Sequence, residues 1–269
     1  MVGTPIGNLE DMSVRAVRTL QQVDFIAAED TRVSLKLLNH FGISKPMVSY
    51  YQHNQRERGQ RLVERILGGE SCALVTDAGM PAISDPGEDL VRLCAEAGIE
   101  VAAVPGPTAA LTALALSGLP TGRFTFEGFL STARQSRREH LASLGQEQRT
   151  MIFYEAPHKL RATLADLAET FGGERRIALC RELTKLHEEV IRTTLGDACA
   201  RYGLEAPRGE FVLILEGAPE QKPSGATPDE ALALARRLVE QGSSPSAAAK
   251  LAAAQTGLRK GDIYRRLTE

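Results

Sequence analysis

Apolar positions in the first part of the chain come in two alternating styles. Short, nearly continuous runs at 24–28, 47–51, 71–76 and 99–104 read as strands, the last two buried on both faces. Between them the spacing turns helical. Ser13 is placed to cap a helix in which Val14, Val17 and Leu20 share a face. Thr31 is placed to cap a second, with Leu35, Leu38 and Phe41 inward and Gly42 as its stop. Residues 54–67 read as a polar-faced helix ended by Gly68 and Gly69. This βαβα order predicts a parallel sheet with helices on both sides. Only Met1 and Val2 precede the first turn-rich loop, so the first strand is either a stub or the natural chain begins earlier.

After a turn-rich stretch at 118–123 the pattern changes. Runs at 124–129, 150–155, 176–183, 188–195 and 210–216 read as strands, with two helices, at 157–171 and 196–202, between them, and Arg137 and Arg138 have an exposed helix face as their alternative to RNA contact. Consecutive strands without intervening helices predict a mixed or antiparallel sheet. Residues 219–228 have linker composition, and 229–241 begins an all-helical tail. Its last two helices turn at Gly257 in helix-turn-helix style. The division expected is therefore 1–120, 121–218 and 226–269. The tail reads either as a packing or dimerisation element or as an RNA contact, for which Arg259, Lys260, Arg265 and Arg266 would be the basic residues.

Composition narrows the classes. The 269 residues suffice for one large or two ordinary domains. Lys+Arg 32 against Asp+Glu 34 leaves no whole-molecule field to draw polyanions, so any nucleic-acid contact needs a local basic patch. The start, MVGTPIGNLEDM, has neither the basic nor the apolar region of a secretion signal. The uncharged stretch 101–122 is broken by Pro105, Gly106 and Pro107 and reads as strand, turn and buried helix rather than a membrane span. Cys72, Cys94, Cys180 and Cys199 form no C-x-x-C and read as buried reduced thiols, so a cytoplasmic location is expected, with no metal. His53 and His158 read as polar surface or capping residues.

Four Pro/Gly-rich loops follow the strand positions: VGTPIGNL (2–9), AAEDTR (27–32), LVTDAGMPAISDPG (74–87) and AVPGPTAAL (103–111). Ligands of open α/β sheets bind beyond the carboxyl ends of the strands, so these loops imply one cleft. GTPIG lacks the G-x-G-x-x-G spacing, and neither G-x-x-x-x-G-K-[ST] nor G-x-S-x-G occurs. Backbone groups held by Pro and Gly suit an adenosine-bearing cofactor without polyphosphate, such as S-adenosylmethionine. No Cys follows a Pro and no N-P-P-[FYW] occurs, which agrees with methylation at oxygen.

TPIGNL with AEDTR, DAGMPAISDPG, PGPTAALTALALSGLP, EGFL and FYEAPHKL, in that order, resembles the 16S rRNA 2′-O-ribose methyltransferase I family of the tetrapyrrole-methylase (class III methyltransferase) superfamily. The likeness runs from Val2 to about Gly217, and the helical tail also looks like that family's. It implies a two-lobed α/β tetrapyrrole-methylase-like fold: a parallel α/β lobe, a mixed α+β lobe and a small C-terminal helical segment. It further implies a homodimer that uses S-adenosylmethionine to methylate a cytidine 2′-hydroxyl in the decoding region of 16S rRNA in the small ribosomal subunit. By motif, the cofactor pocket is expected to include Pro5, Asp77, Ala78, Gly79, Pro81, Ser84, Asp85, Pro105, Thr108, Ala109, Tyr154 and Glu155. The amides of Ala78, Gly79 and Ala109 are expected to do much of the recognition, and Asp77 or Asp85 has a helix cap as its alternative role. Met80 stands where the family commonly has Thr. Glu29 or Asp30 is expected as the base, with Arg32 holding a phosphate or pairing with Glu29. Candidates for RNA contact are Arg134, Arg137, Arg138, Lys159, Arg161 and Lys185. Aromatic content of 5% speaks against an extensive stacking platform. Two other readings stay open: a methylase acting on a porphyrin-like acid, and a non-catalytic nucleic-acid binder using the tail.

Overall fold

The computed structural model describes residues 1–51, 55–219 and 227–269. His53, Asn54 and most of the 219–228 linker lie outside them. The chain divides into two compact units, Met1–Ala218 and Pro219–Glu269.

The first sheet has strands β1 (Phe25–Ala28), β2 (Met47–Ser49) and β3 (Cys72–Val75), all parallel, in the order β2-β1-β3. Strand side chains alternate between faces. Ile26 and Ala28 of β1 accordingly join the core beneath α1 (Val14–Gln22) and α2 (Thr31–His40), with Leu20 and Leu38. Phe25 and Ala27 face the opposite core, with Leu62 of α3 (Gln55–Leu67) and Leu90 of α4 (Glu88–Glu96). Burial on both faces is what the continuous apolar runs require.

The N-terminal residues extend this sheet as a stub. The Val2 N–H donates to Leu74 O (3.0 Å), the Gly3 N–H to Val104 O (3.0 Å) and the Val104 N–H to Met1 O (2.8 Å). The strand expected at 99–104 shrinks to a single bridge between Val2 and Val104. Its residues Val101, Ala102 and Ala103 are exposed, because the segment lies outermost with a neighbour on one side only. Two helix faces also differ from expectation. Val14 is 75% exposed, because the buried face of α1 centres on Ala16 and Leu20, four apart, and Val14 lies more than half a turn from Ala16. Leu35 is exposed as well, since α2 buries Ser34 and Leu38 and Leu35 lies roughly a quarter-turn off that face. The N-cap of α2 is Asp30 rather than Thr31.

The second sheet has β4 (Phe124–Phe129), β5 (Thr150–Glu155), β6 (Arg176–Arg181), β7 (Glu189–Thr194) and β8 (Phe211–Leu215) in the order β4-β5-β8-β6-β7. β4 and β5 are parallel and the other pairs antiparallel. Leu141 of α6 (Arg134–Ser143), Leu160, Leu164 and Leu167 of α7 (Pro157–Phe171) and Tyr202 of α8 (Leu195–Leu204) cover one face. The helix α6 buries Leu141 alone, and a single anchor sets no apolar period in the sequence. The other face receives Ala110, Ala113 and Leu114 of α5 (Ala109–Ser117), a helix that precedes the turn-rich 118–123 stretch yet packs on the second sheet.

The second unit holds α9 (Pro228–Glu240), α10 (Pro245–Thr256) and α11 (Lys260–Thr268) around Ala231, Ala235, Ala249, Ala252 and Ile263. Alanines at the contacts let the helices approach closely. Thr227 and Glu230 form a capping box, and Gly257 ends α10 in the left-handed region at φ 72°. Among the described residues no helix is long and apolar enough to cross a membrane, and no His/Cys/Asp/Glu group could hold a metal. All four cysteines are free, and burial pushes the Cys72 and Cys180 thiols up to about 11.

Candidate active site

The loops meet where the first sheet ends. The Thr4 N–H donates to Gly79 O (2.9 Å) and the Gly79 N–H to Thr4 O (3.1 Å), tying the first loop to the third. The first and fourth loops cross at Gly3 and Gly106. A Cβ on Gly3 would lie 2.7 Å from Gly106, and one on Gly106 would lie 2.9 Å from Gly3, so side chains are excluded at both. In the third loop Ala82 (φ 71°) and Ser84 (φ 62°) are left-handed without being glycine. Such conformations cost about 1–3 kcal/mol each and cluster at ligand sites. Together with the second sheet these loops enclose a cavity of about 860 Å³.

Most of the expected cofactor residues line it: Asp77, Ala78, Gly79, Pro81, Ser84, Asp85, Thr108, Ala109, Tyr154 and Glu155, with Glu29 and Lys185. Pro5 and Pro105 do not; they shape turns whose neighbours Ile6 and Thr108 reach the cavity instead. The Gly79 amide is engaged by Thr4, which removes it from recognition. The Glu155 carboxylate is buried and accepts from the Thr163 hydroxyl and the Ala156 N–H (2.9 Å), so it joins β5 to α7. Asp30 and Arg32 stand outside the lining. Asp30 caps α2 through the Arg32 N–H (2.8 Å) and pairs with the Arg32 guanidinium (2.6 Å), which holds its carboxyl down at about 2. An acid so committed is a poor base. Arg32 pairs with Asp30, not Glu29. Met80, Phe126, Phe129, Ile152 and Val212 also line the cavity. Apolar residues on strands read as core, so Phe126, Ile152 and Val212 carried no signal in the sequence, while Met80 and Phe129 lay inside the quoted motifs DAGMPAISDPG and EGFL.

Three acids set the field. Burial raises Asp85 to about 7, with the Glu29 and Asp77 charges adding to the effect. Burial also raises Glu29, against the Asp77 N–H that donates to it (3.4 Å). Asp77 is raised chiefly by burial too, although it accepts from the Asp30 N–H (3.2 Å). Asp85 has no hydrogen bond or ion pair with any described residue, and neither it nor Asp77 caps α4, whose N-cap is Gly87. Lys185 is the one lysine or arginine among the described lining residues, and its ammonium is held by Glu182 and Glu210, both at 2.9 Å. Burial opposes its charge, and hydrogen bonds to those two carboxylates outweigh burial and raise its pKa.

None of the other basic candidates lines the cavity with Lys185. Arg137 is largely buried on Asp166 (2.6 Å) and Arg138 pairs with Glu169 (2.5 Å), so both fasten α6 to α7. Arg161 donates to Glu205 O (3.2 Å). Lys159 is half-buried near the start of α7, and Arg134 is exposed at the start of α6 without an ion pair to a described residue.

The profile of the Tetrapyrrole (Corrin/Porphyrin) Methylases matches residues 1–199, and that of the RsmI C-terminal HTH domain matches residues 225–269. A Synechocystis sp. protein named Ribosomal RNA small subunit methyltransferase I is 51% identical over 98% of this chain and 95% of its own. A Thermotoga maritima protein of the same name is 45% identical over 217 residues, 81% of this chain and 97% of its own. Among solved structures, a cobalt precorrin-4 methyltransferase of cobalamin biosynthesis superposes with a TM-score of 0.60 at 17% identity, over 80% of this chain and 93% of its own. That likeness concerns the fold.

Proposed function

We propose, from the premise that this chain belongs to the tetrapyrrole (corrin/porphyrin) methylase family and within it groups with the ribosomal RNA small subunit methyltransferases I, that it methylates small-subunit ribosomal RNA at the 2′-hydroxyl of a cytidine in the decoding region. The cofactor in this reading is S-adenosylmethionine, bound between the 1–120 and 121–218 lobes, and the working form is a homodimer. The relatives' names support the RNA substrate.

One observation carries the reading: a cavity lined by Glu29, Asp77 and Asp85 whose one described lysine or arginine is already paired. That chemistry fits a ligand with positive charge and no phosphate. S-adenosylmethionine bears a sulfonium and an ammonium, and when bound it supplies an activated methyl group. The residues present fit it. The N–H groups of Ala78 and Ala109, two lining residues, donate to no described residue, and Ile152 and Val212 give the cavity apolar walls. The three carboxyls complement its charge.

The chain's own task is to orient and to move a proton. Holding the ribose oxygen in line with the methyl contributes about 7–11 kcal/mol through orientation. Asp85 takes the hydroxyl proton, since its carboxyl lines the cavity free of described hydrogen-bond partners and is pushed up by burial to about 7, where a carboxylate can serve as a base at neutral pH. Burial keeps that affinity for the proton high, and the Glu29 and Asp77 charges add to it.

A porphyrin-like acid is the competing substrate. Its carboxylates would meet three acids and one paired lysine, so the site's charge opposes it. Incubating the protein with labelled S-adenosylmethionine and either undermodified small subunits or uroporphyrinogen decides between them; label is expected in the RNA alone. Mass spectrometry of ribosomal RNA from cells lacking the protein should show one lost ribose methyl. Tight RNA binding without cofactor affinity would instead mark a non-catalytic binder.

A further inference from the structure

Phe124, Phe126 and Phe129 all line the cavity, although strict alternation along β4 would send Phe129 to the opposite face. A bulge explains the change. Phe126 pairs with Ile152 and Gly128 with Phe153, so Glu127 is an extra residue. Gly128 takes φ 62°, and the Glu127 carboxylate turns away to His140 of α6 (2.9 Å). Phe129 then pairs in register with Tyr154. The rings of Phe126 and Phe129 meet the Tyr154 ring edge-on, with centroids 5.1 and 5.4 Å apart. Phe129 remains 56% exposed, which for a large ring beside a cavity leaves an open face.

Resting on the function proposed above, we propose that Phe129, braced by Phe126 and Tyr154, is the platform on which a nucleobase of the RNA strand stacks as its ribose enters the cavity. Three features favour the RNA base over the cofactor's adenine. β4 is an edge strand of the second sheet, and the cofactor loops lie on other elements. Phe129 is the most exposed of the three β4 rings, as suits a ligand arriving from solvent. A Cβ on Gly128 would lie 3.4 Å from the Ser84 Oγ, so the bulge abuts the loop that carries Asp85. A base on Phe129 thus brings its sugar toward the carboxyl that receives the proton. The phenol of Tyr154 registers the same proximity: burial raises its pKa first, and the Asp85 charge adds to the rise. Arg134, five residues beyond Phe129, stands exposed for the strand's phosphates. Stacking on aromatics tolerates any base, so this platform holds the strand while specificity is set elsewhere.

The test uses the full-length protein, S-adenosylmethionine, and small subunits from cells lacking it. Phe129→Ala and Phe129→Leu should raise the apparent KM for subunits about 10–100-fold, and Phe129→Trp should restore it. The cofactor Kd by calorimetry should stay at the wild-type value, and the melting temperature should fall only slightly, by loss of the edge contact with Tyr154. Leu separates ring stacking from apolar burial. A wild-type KM in Phe129→Leu, or a loss that falls on the cofactor Kd, overturns the inference while wild-type methylation upholds the function. Absence of methylation by the wild type overturns both.

Discussion

Asp85 shows how one side chain can have opposite effects on stability and activity. Its folded-state pKa, about 7, lies above the ordinary carboxylate value of 3.8. Folding therefore carries no ionisation penalty below the unfolded pKa, and stability falls as pH rises from there through about 7. Asp85→Asn should melt higher than the parent at about pH 8, with the difference gone near pH 4. The same change should lower the single-turnover rate about 10²–10⁴-fold and abolish its rise through neutral pH. A variant that retains the parent's pH profile would return the proton to another group, with Glu29 next in line. Asp30→Ala should do the reverse, lowering the melting temperature by loss of the cap on α2 while leaving turnover intact. The two acids are equally legible as residues of loop motifs. Their roles are not, because a cap and a base use the same carboxylate, and only the position of Arg32 separates them.

Elements register the difference between local pattern and neighbours. The strands of the second sheet fall within two residues of their sequence-read limits at each end, since apolar and β-branched runs bounded by turns mark them. Residues 99–104 are just as apolar and form one bridge, because being a strand depends on having partners. The β4 bulge is equally hidden, as no local rule marks where register slips. The close crossing at Gly3 and Gly106 can be tested directly. Gly106→Ala should cost about 1–3 kcal/mol by overpacking and weaken cofactor binding, because the first and fourth loops must part. Gly122→Ala, where an added Cβ meets nothing within 4 Å, is the control and should leave cofactor affinity unchanged. Denaturant melts and calorimetry read both.

For the whole molecule, every described residue lining the cavity belongs to the first unit, before the boundary after Ala218. The Thermotoga maritima relative aligns over 217 residues, close to the length of the first unit, and 97% of its own chain. A 1–218 fragment should therefore fold and bind S-adenosylmethionine with the full chain's Kd, and any loss should appear in RNA affinity. A fragment that aggregates, or binds the cofactor poorly, would show that the tail supports the site. What the sequence alone determined is the βα order, the mixed second sheet, the tail and the loops that ring the cleft, because periodicity and turn chemistry are local properties. What only the tertiary structure decided is which acid stands free, which amide is already engaged, and which phenylalanine faces the cavity. Each depends on a partner brought from far along the chain, as Thr4 is to Gly79 and Tyr154 to Phe129, and no local pattern encodes that meeting.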